Sequence, residues 1–271
     1  MSDRYYVIGN PIAHSKSPAI HAAFALQTGQ DLVYATCLAP LDGFAATLAA
    51  LAAEGASGAN VTVPFKLDAA ALATTLTPRA QAAGAVNTLT FADGAIAGDN
   101  TDGAGLVNDI LRNAAFPIAG KRILLLGAGG AARGVILPLL GEQPSALVIA
   151  NRTRATADAL VQRFAGQGSS LSACEFAELA EPFDLVINAT SASLGGAVPP
   201  VPASVFSPHT LAIDMMYGNQ PTVFMEFAAG CGAVTRDGLG MLVEQAAEAF
   251  AKWRGVRPET APILERMRAA L

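Results

Sequence analysis

Three places in this 271-residue chain hold residues whose types and spacing can do chemistry: a glycine turn, two arginines beyond it, and a lysine well before it. The glycine turn lies in KRILLLGAGGAARGV, Lys121 to Val135. Ile123 to Leu126 is a continuous apolar run, as expected of a parallel strand covered on both faces. Gly127-Ala128-Gly129-Gly130-Ala131-Ala132 then fits G-x-G-x-x-A. The first glycine allows a tight turn and the second lets backbone approach a pyrophosphate. The small last residue lets helix and strand pack closely. Free N–H groups at the positive end of the helix can hold the pyrophosphate. The pattern predicts a dinucleotide site, the bland alternative being a plain strand–turn–helix corner. Pro138 is expected to kink or shorten the helix that follows.

In sites for NAD, an acidic residue about 20 positions after the glycine turn holds the ribose 2′-hydroxyl. Here that region reads Ala150-Asn151-Arg152-Thr153-Arg154, with two arginines and no carboxylate. A guanidinium pairs well with a phosphate, which favours NADP. The alternative is that Arg152 and Arg154 sit in solvent or near a helix start, where charges are more usually acidic.

Reducing a carbonyl with such a cofactor needs a proton donor beside the hydride acceptor. The Tyr-x-x-x-Lys solution is absent: Tyr5, Tyr6, Tyr34 and Tyr217 are followed four residues on by Gly9, Asn10, Leu38 and Pro221. Cys37, Cys174 and Cys231, with His14, His21 and His209, do not cluster as zinc ligands do. Lysine remains, and the chain has only Lys16, Lys66, Lys121 and Lys252. Lys66 ends NVTVPFK at a strand-to-helix corner, where burial can lower a lysine pKa and make it an acid or base. Taken alone, it reads equally as a solvated surface lysine. Gly98-Asp99-Asn100-Thr101-Asp102-Gly103 is a dense polar turn that either caps a helix or binds a polyol and holds an ammonium. Ser15 and Ser17 flank Lys16 near a helix start, where hydroxyls and N–H groups either cap the helix or bind a carboxylate.

The elements that must position these groups alternate between strand and helix. Strands are expected at Arg4–Ile8, Leu32–Leu38, Ala59–Val63 and Val86–Phe91, with a short partner at Ala95–Ala97 across an Asp93-Gly94 turn. Helices are expected from Pro18 to about Thr28, over Phe44–Glu54 and over Lys66–Leu76. Asp102–Arg112 reads as a helix leading into a second domain. Strands Ala146–Ala150, Leu185–Asn188 and Leu211–Asp214 follow the glycine turn, with a helix over Thr153–Phe164 for which Thr153 is the expected N-cap. Gly240–Arg254 and Pro258–Ala270 read as closing helices. The pattern predicts a two-domain α/β protein. Its parts are an α/β domain at 1–102, a Rossmann-type doubly wound domain at 103–237, and C-terminal helices at 238–271 that return to the first domain.

Composition narrows the function. The chain is 52% hydrophobic and 14% charged, which supports a sizeable core. A net charge of −5 without a basic block argues against nucleic acid as the main partner. No apolar run approaches the ~20 residues of a membrane helix. The N-terminal residues lack a signal-peptide pattern and three scattered cysteines give no disulfide framework, so the cytoplasm is the expected location.

Nine stretches in order resemble the shikimate dehydrogenase family: GNPIAHSKSP (9–18), NVTVPFK (60–66), GAVNT (84–88), GDNTDG (98–103), GAGGAARG (127–134), NRT (151–153), INATS (187–191), DMMY (214–217) and DGLGMLVEQA (237–246). The resemblance covers nearly the whole chain. It implies NADPH-dependent, reversible reduction of 3-dehydroshikimate to shikimate, on the route through chorismate to the aromatic amino acids, by a monomer or homodimer. It assigns Ser15 and Ser17 to the substrate carboxylate, Lys66 and Asp102 to catalysis, and Thr62, Asn87, Tyr217 and Gln245 to the substrate. It assigns Gly127, Ala128, Gly129, Gly130, Ala131, Asn151, Arg152, Thr153, Arg154, Met215 and Gly238 to the cofactor, and no residue to a metal. Departures are small: INATSASLGG lacks the glycine often found after TS, and Pro138 is unexpected. The nearest alternative is a quinate/shikimate dehydrogenase with broader cofactor use. A non-catalytic nucleotide-binding regulator is disfavoured by the presence of Lys66, Asp102 and both serines.

Overall fold

The computed structural model describes residues 2–167 and 170–271. The chain forms two compact α/β units. One comprises the chain up to Gly105 together with Val243–Ala269, the other Leu106–Leu242 with the last two residues.

In the first unit a six-stranded sheet has the order β2-β1-β3-β5-β6-β4. Its strands are β1 (Asp3–Gly9), β2 (Leu32–Leu38), β3 (Gly58–Val61), β4 (Thr75–Leu76), β5 (Thr88–Ala92) and β6 (Ala95–Asp99). Strand β1 pairs in parallel with β2 and β3, and β4 in parallel with β6, whereas β5 is antiparallel to both β3 and β6. Strand β6 therefore runs in the same direction as β3. The ends of β1, β3 and β6 and the start of β5 share one edge of the sheet, which is where the polar motifs fall.

Helices α1 (Ser17–Thr28), α2 (Phe44–Ala53), α3 (Lys66–Leu72) and α4 (Pro78–Ala83) link the strands. The core gathers Ile8, Leu48, Phe65 and Leu89, with the Phe44 and Phe65 rings stacked at 4.8 Å. Gly58 is required by close packing: a Cβ there would stand 2.5 Å from the Leu89 carbonyl oxygen and 2.9 Å from Trp253 Nε1. Asp93 (φ 51°) and Gly94 (φ 75°) make the β5–β6 turn, where both central residues must be left-handed.

Helix α5 (Asp102–Asn108) continues as a π-helical turn over Asp109–Asn113. In the second unit all six strands are parallel, in the order β12-β11-β10-β7-β8-β9. They are β7 (Arg122–Leu126), β8 (Ala146–Ala150), β9 (Ser170–Cys174), β10 (Leu185–Asn188), β11 (Leu211–Asp214) and β12 (Val234–Arg236). This is the doubly wound order, with its switch between β7 and β10. Helices α6 (Gly130–Gly141), α7 (Arg154–Arg163) and α8 (Val223–Gly230) belong to this unit. The chain closes with α9 (Leu239–Arg254) and α10 (Ala261–Ala269).

Several local expectations are corrected. Helix α6 is not shortened at Pro138 but runs on to Gly141. Ile136, Leu139 and Leu140 are buried on either side of the proline, and that burial outweighs the one lost N–H. The stretch from Lys66 to Leu76 is not one helix: α3 ends at Leu72, and Thr75-Leu76 pair with β6 instead. Thr153 is the N-cap residue of α7, but its side chain makes no capping bond. Strands β4, β9 and β12 and helices α4 and α8, all short, have no clear periodic signature in the sequence.

Candidate active site

In the first unit the polar motifs converge by topology. Lys66 opens α3 five residues after β3 ends, Asn87 immediately precedes β5, and Asp102 opens α5 just after β6. Backbone bonds fix these corners: Val61 N–H donates to Asn87 O at 2.8 Å, Val86 N–H to Lys66 O at 2.8 Å and Asn87 N–H to Asp99 O at 3.0 Å. The Lys66 ammonium then donates to Asp102 Oδ2 at 2.6 Å, with Asp102 2% exposed and Lys66 21%. Asn87 Nδ2 donates to Asp102 Oδ1 at 2.8 Å and to Gln245 Oε1 at 3.0 Å. Its Oδ1 accepts from the Thr101 N–H at 2.8 Å and from Thr88 Oγ1 at 2.9 Å. Lys66, Asn87, Asp102 and Gln245 therefore form one connected group. Gln245 is delivered by α9, from a stretch some 140 residues distant in sequence.

Thr62 stands at the end of β3, its N–H bonded to Ile8 O at 2.9 Å and its methyl against Gly9, where a Cβ would come within 2.5 Å. Ser15 lies between β1 and α1, and Ser17 is the first residue of α1. The Ser15 hydroxyl accepts from the Ser17 N–H at 3.3 Å, and neither serine is the N-cap residue, which is Lys16. Both serines remain half-exposed at the helix start. Residues not singled out in the sequence complete the set. Asn60 Nδ2 bonds Asn87 O and Thr88 Oγ1, both at 3.1 Å. Thr101 Oγ1 accepts from Asn87 Nδ2 at 3.0 Å. Asn60 and Thr101 stand inside NVTVPFK and GDNTDG, so their motifs were visible although their bonds were not.

In the second unit a cleft of about 510 Å³ opens beyond the ends of β7 and β10. Gly127, Ala128, Gly129, Gly130 and Ala131 line it, with Asn151, Arg152, Phe176, Thr190 and Pro199 among the facing residues. Gly127 has φ 100°, and a Cβ there would press on Thr190 Cγ2 at 3.0 Å. At Gly129 and Gly130 a Cβ would meet nothing within 4 Å, so the backbone faces open space at the start of α6. Arg152 is exposed at the cleft and forms no ion pair among the described residues. An open glycine cradle at a helix N-terminus, beside a free guanidinium, fits a dinucleotide carrying an extra phosphate.

The loop after β10 is held by a buried carboxylate. Asp214 Oδ2 accepts from Ser193 Oγ at 2.7 Å and Thr222 Oγ1 at 2.6 Å, while Thr190 N–H and Oγ1 bond Asn188 Oδ1 at 3.1 and 2.7 Å.

The expected cofactor residues do not all meet in this cleft. Arg154 is turned away, paired with Glu178 at 2.7 Å and Asp158 at 3.2 Å. The region without a carboxylate in sequence thus acquires one in space, because Glu178 arrives on the turn after β9. Thr153 also stands outside the lining, its carbonyl accepting from Asn151 Nδ2 at 3.0 Å. Met215 and Gly238 pack on each other, since a Gly238 Cβ would come within 2.2 Å of the Met215 oxygen. Tyr217 follows β11 in the second unit, where burial and then the Asp237 carboxylate raise its phenol pKa. No group of His, Cys, Asp or Glu among the described residues is arranged to hold a metal.

Three family models match the chain: "Shikimate dehydrogenase substrate binding domain" over residues 7–89, "Shikimate / quinate 5-dehydrogenase" over 110–195 and "Shikimate 5'-dehydrogenase C-terminal domain" over 238–271. A relative from Herminiimonas arsenicoxydans, a shikimate dehydrogenase (NADP(+)), is 65% identical over 271 residues, covering 100% of this chain and 99% of that one. Among solved structures, an Ael1 enzyme from Pseudomonas putida is 48% identical with a TM-score of 0.93, covering 98% of each chain. Shikimate 5-dehydrogenase from Thermus thermophilus, solved with NADP(H) and shikimate, is 34% identical with a TM-score of 0.88, covering 99% of this chain and 100% of that one.

Proposed function

The chain belongs to the shikimate dehydrogenase family, and on that premise we infer that it is an NADP-dependent oxidoreductase reversibly reducing 3-dehydroshikimate to shikimate in aromatic amino-acid biosynthesis. The observation that carries the chemistry is the Lys66–Asp102 pair, a lysine whose one acceptor among the described residues is a buried carboxylate at 2.6 Å. NADPH, when bound in the glycine-lined cleft, supplies the hydride.

The chain's own residues do the rest. Ser15 and Ser17 take the substrate carboxylate with hydroxyl and N–H groups at the start of α1. Asn87, Thr62, Gln245 and Tyr217 take ring hydroxyls, which suits a small anionic polyol better than an apolar pocket would. Lys66 gives a proton to the oxygen on which negative charge develops, and Asp102 orients and stabilises the ammonium before and during transfer. In the oxidising direction Lys66 is the base. Asn87 fixes Asp102 through Oδ1, leaving Oδ2 directed at Lys66.

In this reading 1–102 with the closing helices is the substrate domain and 103–237 the NADP domain. Gly127 to Ala131, Asn151 and Arg152 hold the dinucleotide, and Met215 and Gly238 lie on its nicotinamide side. No helix among the described residues is long and apolar enough to cross a membrane. We place the enzyme in the cytoplasm, as a monomer or homodimer.

The test is oxidation of shikimate and of quinate, each with NADP and with NAD. Shikimate with NADP is expected to give the highest kcat/KM by at least an order of magnitude. Equal rates with quinate or with NAD would replace this reading by the broader quinate/shikimate activity.

A further inference from the structure

Ser193 has no part in the chemistry above, yet it stands inside one wall of the glycine-lined cleft. Thr190, Ser191 and Ala192 line that cleft before it, and Pro199 and Pro200 line it after. Between them the chain makes a tight turn over Ala192–Gly195, followed by Gly196 at φ 67°. The Gly196 N–H donates to Ser193 O at 3.1 Å, and the Ala197 N–H to Ala192 O at 3.0 Å. Those bonds close the turn on itself. Two side chains fasten it to the sheet. At its start, Thr190 Oγ1 donates to Asn188 Oδ1 at 2.7 Å and accepts from the Ala192 N–H at 3.3 Å. In the turn itself, Ser193 Oγ donates to Asp214 Oδ2 at 2.7 Å and accepts from Asn188 Nδ2 at 3.3 Å. Asn188 and Asp214 are register partners at the ends of β10 and β11, and both are wholly buried.

The nature of Asp214 makes the Ser193 bond a strong one. This buried carboxylate forms no ion pair among the described residues, so hydrogen-bond donors compensate its loss of water. The donors are Ser193 Oγ and, at 2.6 Å, Thr222 Oγ1 on Oδ2, with the Met216 N–H on Oδ1 at 3.0 Å. A hydrogen bond to a charged acceptor is about twice as strong as a neutral one. Thr222 leads elsewhere. It is the N-cap of α8, where its Oγ1 accepts from the Met225 N–H at 3.3 Å, and it does not line the cleft. Two hydroxyls on one oxygen thus hold different things, a cleft wall and a helix start.

We propose that Ser193 is a positioning residue of the dinucleotide cleft. Its hydroxyl, given to Asp214, keeps the wall at 190–200 in place for the adenosine and pyrophosphate half of the cofactor. That is the half held by Gly127 to Ala131, Asn151 and Arg152 in the same cleft. A wall that is in place only part of the time lowers the apparent affinity by that fraction. This rests on the reading that the glycine-lined cleft takes the dinucleotide, and the experiment separates the two claims.

Calorimetry without substrate would titrate NADP and adenosine 2′,5′-bisphosphate, which lacks the nicotinamide half, into wild type, S193A, S193T and T222A. Melting temperatures and steady-state kinetics would be measured on the same preparations. S193A is expected to weaken both ligands about three- to tenfold, as for a wall in place between about a tenth and a third of the time. Its kcat and its KM for shikimate should stay within about twofold of wild type. S193T keeps a hydroxyl and should recover most of the affinity. T222A removes a bond from the same carboxylate oxygen, and should lower the melting temperature while leaving both affinities unchanged. Equal affinities in wild type and S193A would overturn the role of Ser193 and leave the cleft reading in place. Failure of wild type to bind either ligand would overturn the cleft reading, and the proposal with it. A loss in T222A as large as in S193A also overturns the proposal, because the wall would then have no special share in the bond. So does an S193T no better than S193A, or a loss for NADP that spares the bisphosphate.

Discussion

Asp99 and Asp102 stand three residues apart, are each 2% exposed, and each face a basic side chain. They differ in how fully they are satisfied. Asp99 accepts from Arg79 Nε and Nη2 at 2.7 and 2.8 Å, from Thr77 Oγ1 at 2.6 Å and from the Asn100 N–H at 2.7 Å, with Lys252 at 3.3 Å. Arg79 also reaches Glu248 at 3.0 Å, and Arg257 ties Glu248 to the buried Glu244 at 2.7 and 2.9 Å. A guanidinium does not give up its proton, so this is a closed structural clamp between β6, α4 and α9. Asp102 accepts from Asn87 and Lys66, and Lys66 has no other acceptor among the described residues. An ammonium has three donors, so two are left for a ligand. The same pair of charges becomes a fastening when every valence is filled and stays available to a ligand when some are left open.

The widest separation should appear in activity. Lys66→Ala is expected to lower kcat by about 10²–10⁴, the range for a lost general acid or base, with a far smaller change in KM. Asp102→Asn should also lower kcat, and the two losses should not multiply, since both residues act on one proton. Steady-state kinetics on both single variants and the double variant, with NADP binding as the folding check, measure this. A Lys66→Ala enzyme that binds NADP and keeps wild-type kcat would erase the distinction drawn here.

The opposite signature is expected at the clamp. Arg79→Ala should leave kcat within a few-fold while destabilising the fold by about 3 kcal/mol, because a buried carboxylate loses its two guanidinium bonds and keeps only Lys252, Thr77 and the Asn100 N–H. Urea unfolding and kinetics on one preparation would compare the two effects. Loss of activity without loss of stability would move Arg79 into the chemistry.

The clamp also sets an acid limit. Burial works to raise the Asp99 pKa, but bonds from Arg79 and Thr77 and the charges of Arg79 and Lys252 outweigh it and hold the carboxyl well below the usual carboxylate range. Its folded pKa is below its unfolded one, so the stabilisation is complete above about pH 4 and is lost as pH falls further toward the folded pKa. Unfolding midpoints between pH 6 and 3 should therefore drop less steeply in Asp99→Asn than in wild type. Parallel curves would show that other carboxylates set the limit.

The smallest contrast concerns the two arginines, one free and one already paired. Arg152→Ala should weaken NADP by about 1.5–3 kcal/mol, one charge-assisted contact, and leave NAD unchanged. Arg154→Ala should leave NADP affinity nearly unchanged, since Arg154 is committed to an exposed pair with Glu178. Titrating both cofactors into both variants decides it, and equal losses would return Arg154 to the phosphate.

Most of the long elements were legible. Continuous apolar runs marked β7, β8, β10 and β11, and the Asp93-Gly94 turn marked the hairpin. The short β4, β9 and β12 were not, because their pairing depends on neighbours rather than on their own pattern. Pro138 does not end α6, because one lost N–H weighs less than the burial around it. Of the site, Lys66, Asp102 and the serines were visible as residue types in motifs. Asn60, Tyr34 and Glu178 were not, because a hydrogen-bonded asparagine, a half-buried tyrosine and an ion-paired glutamate look ordinary until their neighbours are known.

By itself the sequence determined the fold class, the family and the kind of chemistry, since each depends on local pattern: apolar runs, glycines where backbone must turn, and a lysine and aspartate in recognisable settings. Only the tertiary structure decided which of two buried aspartates is a fastening and which an open acceptor. It alone decided which of Arg152 and Arg154 is unpaired among the described residues, and that a tyrosine on β2 is linked through Asn60 and Asn87 to the Asp102 carboxylate. Those properties depend on how many partners reach an atom in space, and residues as far apart in sequence as Asn87 and Gln245 become neighbours only when the chain folds.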